Sequence, residues 1–159
     1  KVACEVQEDF GKGNGTYVKS NVSVQNTGNT DAYIRVLLVF TWKDKAGNIF
    51  SNKPQEGIDY QINMDNMYLT DWIMQKSDAG GYFYYKKPVA PKAKTGKLIE
   101  SLYQITDVTG PENGTYKLSV DILADAVQAN PPQAVKDSWG VDVENGEIKI
   151  KTQGGVSNE

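Results

Sequence analysis

NVSVQNTGNTDAYIRVLLVFTWK, residues 21–43, is the stretch from which the fold is read. It opens with a short alternating run in which Val22 and Val24 flank Ser23. Six residues follow, Asn26-Thr27-Gly28-Asn29-Thr30-Asp31, of which only Thr favours a strand. The chain then passes from Ala32 to Trp42 through β-branched and aromatic side chains. Two such runs joined by small polar residues and a Gly predict a strand, a loop and a second strand. In the second run Ile34, Val36, Leu38, Phe40 and Trp42 fall on one face, and Tyr33, Arg35, Leu37, Val39 and Thr41 on the other. One face is wholly apolar and the other mixed. This pattern predicts a central strand covered on both sides near its middle, within a β-sandwich.

Working outward, residues 1–10 place Val2, Cys4, Val6, Glu8 and Phe10 on one side of an alternating strand. Gly11-Lys12-Gly13-Asn14-Gly15 reads as a flexible turn into a strand over 17–25. Residues 51–69 carry a poor pattern, with irregular structure or a short edge strand near 58–62. Residues 70–74 and 82–85 read as an aromatic hairpin. Pro88 and Pro91 hold Val89 and Ala90 in an extended connection or at a sheet edge. Residues 98–105 fit strand and helix spacing equally well. Pro111-Glu112-Asn113-Gly114 is a turn, and 116–126 alternate cleanly as a further strand. A single helix is expected after Asn130 as cap and Pro131 at the first helical position, carried through 134–139 to Gly140. Residues 141–150 predict a small hairpin turning at Asn145-Gly146. Residues 152–159 read as a disordered tail. Many strands, one late helix and no βα alternation predict a single all-β domain over 1–151. The expected architecture is a jelly-roll-like antiparallel β-sandwich with one short helix near the C-terminus.

Composition narrows the chemistry. A net charge of −3 in 159 residues gives no electrostatic case for a nucleic-acid partner. The absence of His removes histidine bases, Ser-His-Asp and Cys-His systems and most zinc and copper sites. Cys4 is the only cysteine, so no disulfide forms within the chain, and its place among apolar positions favours a buried, inert thiol. No run is long and apolar enough to span a membrane. A chain opening directly on a strand is what a mature secreted protein with its leader removed would present. Asp71, Asp78, Asp121 and Asp125 are the carboxylates open to glycosidase chemistry, but loops and polar strand faces favour solvated surface groups. Asp59, Asn63, Asp65 and Asn66 lack the spacing of a calcium loop. No catalytic residue, metal or cofactor is assigned. Trp72, Tyr82, Tyr84 and Tyr85, with Phe83, offer aromatic faces for a glycan platform. Successive strand residues point to opposite faces, however, so at least two of the five belong to the core. A Lys–Asn isopeptide crosslink stays open in principle, although no spacing singles out a pair.

VSVQNTGNTDAYIRV, residues 22–36, resembles a stretch of Gram-positive exported matrix proteins, the relatives of TasA, camelysin and the BsaA biofilm surface proteins. YYKKPVAP (84–91), LIES (98–101), ADAVQA (124–129) and AVKDSWG (134–140) are similar to the BsaA-type branch. The resemblance implies a secreted, non-enzymatic jelly-roll subunit of the extracellular matrix or cell surface that polymerises with itself into biofilm fibres. It implies donor-strand complementation, in which a terminal strand of one copy completes the sheet of the next. Residues 1–10 are then the donor candidate, with Val2, Cys4, Val6 and Phe10 as anchors, and residues 148–151 are a C-terminal alternative. A monomeric carbohydrate-binding or adhesive module built on Trp72, Tyr82, Tyr84 and Tyr85, with a matrix or cell-surface polysaccharide as its partner, is the competing expectation.

Overall fold

The computed structural model describes residues 1–10, 17–77, 80–105 and 109–150. Its strands are β1 Cys4–Phe10, β2 Tyr17–Asn26, β3 Ala32–Lys43, β4 Tyr60–Met64, β5 Trp72–Ser77, β6 Gly80–Tyr85, β7 Ile99–Gln104, β8 Lys117–Gln128, β9 Asp142–Glu144 and β10 Glu147–Lys149. Two single-turn helices, α1 Tyr68–Asp71 and α2 Pro111–Gly114, and the longer α3 Gln133–Trp139 complete the elements. One antiparallel sheet has the order β1-β2-β7-β4 and the other β5-β6-β3-β8, with β9 and β10 as a separate hairpin. The chain is thus an all-β, jelly-roll-like sandwich.

The apolar face of β3 builds the space between the sheets. Ile34 and Val36 are fully buried there against Val22 and Val24 of β2, Ile99 and Leu102 of β7, and Phe83 and Val120. The mixed face is covered too, but over the first half of β3 rather than its middle. There Tyr33 and Tyr84 pack with Val135 and Trp139 of α3 and with Ile148 of β10. Leu37 and Val39 further along remain half-buried. The cover stops because α3 spans only two turns, about 10 Å of a twelve-residue strand.

Several local readings resolve with a physical cause. Within residues 98–105, Ile99–Gln104 form a strand, because β7 lies between β2 and β4 and both neighbours supply hydrogen-bond partners. The expected edge strand in 51–69 is β4. Asn130 does not cap α3. Two prolines intervene, the helix begins at Gln133, and Ala134 N–H bonds the Pro131 carbonyl instead. Gly140 ends α3 in the left-handed conformation at φ 67°, as a glycine cap should. Asn145 and Gly146, both at positive φ, turn the β9–β10 hairpin as expected. The flexible turn expected over 11–15 and the tail expected over 152–159 lie outside the described residues.

Candidate functional site

β1 is the outermost strand of its sheet and pairs antiparallel with β2, Cys4 facing Asn26 and Val6 facing Val24. Cys4 and Val6 are the two apolar anchors of the donor candidate that reach the core. Val2 and Phe10 do not: they are 37% and 65% exposed. For Phe10 the cause is a bulge between Gln7 and Asp9, which shifts the pairing by one residue and breaks the alternation that would have buried it, while Val2 precedes the strand. The ring of Phe10 instead lies under the Lys19 ammonium at 4.9 Å, and Lys19 is ion-paired with Glu8 at 3.0 Å.

The start of β1 is gripped by the loop that follows β2. Lys1 donates its terminal ammonium to Asn29 Oδ1 at 2.7 Å, and Asn29 N–H donates to the Lys1 carbonyl. The Ala3 carbonyl accepts from the Thr27 and Gly28 amides. A side chain at Gly28 would come within 2.5 Å of the Lys1 carbonyl oxygen, so glycine is required here by close approach of two backbones. Asn26, wholly buried, holds the loop from behind. Its Nδ2 donates to the carbonyls of Thr30 and Val89, and its Oδ1 accepts from Gly28 N–H. The Asn-Thr-Gly-Asn segment is therefore a socket for residues 1–3. Sequence reading saw it only as a turn, because a side chain bonding a loop 63 residues away leaves no local signal.

Cys4 faces inward from β1, and burial pushes its thiol up to about 11, with the Asp125 carboxylate adding to the shift. A thiol held in its neutral form is a poor nucleophile, which agrees with an inert packing role.

The remaining candidates are dispersed. Trp72 and Tyr84 are each 1% exposed, and Tyr82 and Tyr85 are half-buried. Trp72 and Tyr85 pack edge to face in the space between the sheets, whereas Tyr82 and Tyr84 lie on the opposite face beneath α3. No shared open face unites the four, so the geometry forms no glycan platform from them. Arg35 stacks between the Tyr82 and Trp139 rings at 4.0 and 4.7 Å and pairs with Asp125 at 3.3 Å. Asp121 pairs with Lys43, Asp71 lies elsewhere beside Gly96, and Asp78 falls outside the described residues. Asp59 and Asp65 accept bonds from the backbone amides of Gln55 and Met67, while Asn63 donates to Ser101 Oγ. Lys97, Asn21 and Asp9 meet in a chain of 2.9 Å contacts that has the composition of an isopeptide site. Asn21 is exposed, however, and the trio lacks the apolar pocket that keeps an amine neutral. Comparison of the chain with protein-family models, curated proteins and solved structures returns no match.

Proposed function

We propose that this chain is the structural subunit of an extracellular matrix fibre and that copies are linked by exchange of the N-terminal strand. The observation that carries the reading is the position of β1. It is the first described strand and lies at a sheet edge, it reaches the core through Cys4 and Val6, and a segment with three glycines in residues 11–16 joins it to the strand it pairs with. An element placed this way can be supplied by another copy without loss of a single contact. Backbone pairing with β2 gives affinity, and the two inward side chains fix register. Each copy gives one strand and receives one, so the contact is head to tail and the product is an open filament. The likeness of residues 22–36 to exported matrix proteins supports the same reading and gives it a compartment.

The test is assembly of the purified chain as a function of concentration. Negative-stain micrographs should show filaments at high concentration, and detergent gels should show a ladder without boiling that collapses to one band on boiling. A single species at every concentration, with no filaments, would sink the proposal.

A further inference from the structure

On the side of the sandwich away from β1 and β8, a groove of about 550 Å³ opens between β4 and β5. Leu38, Phe40, Ile62, Met64, Met74 and Phe83 line it, and Tyr68 of α1, edge to face with Phe83, closes one end. On the core face of β3, Ile34 and Val36 are wholly buried, whereas Leu38 and Phe40 further along are only half-buried. β6 leaves the space. Gly81 shares the inner face of that strand with Phe83 but brings no side chain, and a Cβ there would stand 2.5 Å from Met74 Cε. The floor is therefore a thioether lying over a glycine, with Met64 on the opposite sheet, and such side chains reshape around what they touch. Small molecules occupy mostly apolar clefts of roughly 300–1,000 Å³ that hold a few polar groups.

Three polar side chains in this groove have no polar partner among the described residues: Tyr60, Glu56 and Lys76. Tyr60 is only 7% exposed and stacks on Phe40 at 4.1 Å. Burial, with the Glu56 and Asp59 carboxylates, pushes its phenol up to about 12, so its hydroxyl keeps its proton and can donate. Lys76 shares a face of β5 with Trp72 and Met74, which pack between the sheets, so its ammonium enters from the β5 rim. Glu56 is bridged to Tyr60 and enters from the β4 side. Packed sheets lie about 10 Å apart, so a cation and an anion stand on opposite rims of the mouth without joining. The β4 rim itself is occupied, since the Tyr60 carbonyl accepts from Gly57 N–H and the Ile62 carbonyl from Gln61 Nε2. An occupant that needs no backbone pairing fits this arrangement.

We propose that the groove binds a single-chain amphiphile with a zwitterionic head, taken up as a free monomer. The hydrocarbon chain covers the apolar lining, with the methionines closing around it. The anionic group of the head accepts from the Lys76 ammonium and the Tyr60 hydroxyl, and its ammonium lies against Glu56. An anionic head alone would meet the Glu56 carboxylate, a cationic head alone would meet Lys76, and an uncharged one would leave both unpaired. Only a head carrying both signs complements both rims. β1 lies at the other edge of its sheet, so this site and strand exchange stand or fall separately.

The probe is dodecylphosphocholine, added below its micelle concentration to the full chain with isotope-labelled methionine methyl groups. The Met64 and Met74 signals should move saturably. Dodecanoate and dodecyltrimethylammonium carry the same chain with one charge each, and each should bind about threefold more weakly or worse. Glu56→Gln should abolish the preference over dodecanoate, and Lys76→Gln the preference over dodecyltrimethylammonium. Both side chains are exposed, so neither change disturbs the core. Absence of a saturable shift below the micelle concentration would overturn the proposal. So would either singly charged probe binding as tightly as the zwitterion, or variants that leave the preferences unchanged. Pelleting of the chain with phosphatidylcholine vesicles, when the monomeric probe moves neither signal, would assign the groove to a membrane surface instead.

Discussion

At the scale of single residues, the Asn-Thr-Gly-Asn segment is where local sequence turns into long-range structure. Removing the Asn26 side chain takes away three hydrogen bonds: it leaves the part-buried Thr30 carbonyl without this donor, and leaves the Val89 carbonyl with only Ala32 N–H and the Gly28 amide with only the Ala3 carbonyl. Asn26→Ala should therefore cost about 2–4 kcal/mol in denaturant unfolding. Gly28→Ala acts more narrowly, because its new methyl meets the Lys1 carbonyl and the Ala3 nitrogen. It should loosen residues 1–3, and amide exchange should rise at least about tenfold in β1 while β3 and β8 stay protected. Unchanged exchange at Glu5 and Gln7 would show that the socket does not hold the strand. Cys4 adds a pH dependence. Its thiol is raised from 9.0 to about 11 in the folded chain, so between those values the unfolded or released strand binds fewer protons than the seated one. Hold on β1 is thus constant below pH 9.0 and weakens as pH rises toward about 11. Release measured by thiol alkylation should depart upward from the slope set by thiolate fraction over that window. A competing titration elsewhere would leave the same rise in the release of Cys4→Ser, followed by β1 amide exchange.

At the scale of elements, α3 shows both what the sequence carried and what it hid. Val135 and Trp139, four residues apart, press onto the outer face of the sheet as their spacing requires. Arg35, the only arginine, pairs with Asp125 across β3 and β8. Its stacking between Tyr82 and Trp139 was not legible, because it joins three elements whose relative placement no periodicity encodes. Arg35→Ala should undock α3 at a cost of about 1–3 kcal/mol, read as a red shift of the Trp139 emission and lower urea resistance. Arg35→Lys keeps the charge but not the flat face, and should recover only part of the loss. If Arg35→Lys matched the parent, the stacking would contribute nothing. The strands themselves were readable because period-2 alternation is local, and β3 and β8 declare it over ten or more residues. The groove between β4 and β5 was not readable. Its lining comes from β3 to β6, from α1 and from Glu56, elements whose placement only the sheet order reveals.

At the scale of the whole molecule, the sandwich has two unlike sides, one sealed by β1 and one left open between β4 and β5, and the strand-exchange proposal is tested at the sealed side. Val6 faces Val24 across β1 and β2. The Ala3 carbonyl accepts from Thr27, so residues 5 and 25 form the next hydrogen-bonded pair and 6 and 24 a non-hydrogen-bonded one. Such a pair holds its Cα atoms about 4.5 Å apart, inside the range a disulfide accepts. Val6→Cys with Val24→Cys, in a chain where Cys4→Ser removes the native thiol, therefore marks whose β1 sits on whose β2. Oxidised while dilute, the variant should close the bridge within one chain and stay monomeric at concentrations where the reduced protein forms filaments. Oxidised after assembly, it should link neighbouring copies into a ladder that survives boiling and disappears with reductant. The two orders of treatment use the same residues and the same bond, so stability loss from the substitutions affects both equally. Filaments whose bridges all prove intramolecular would mean that β1 never leaves its own subunit, and the strand-exchange reading would fall.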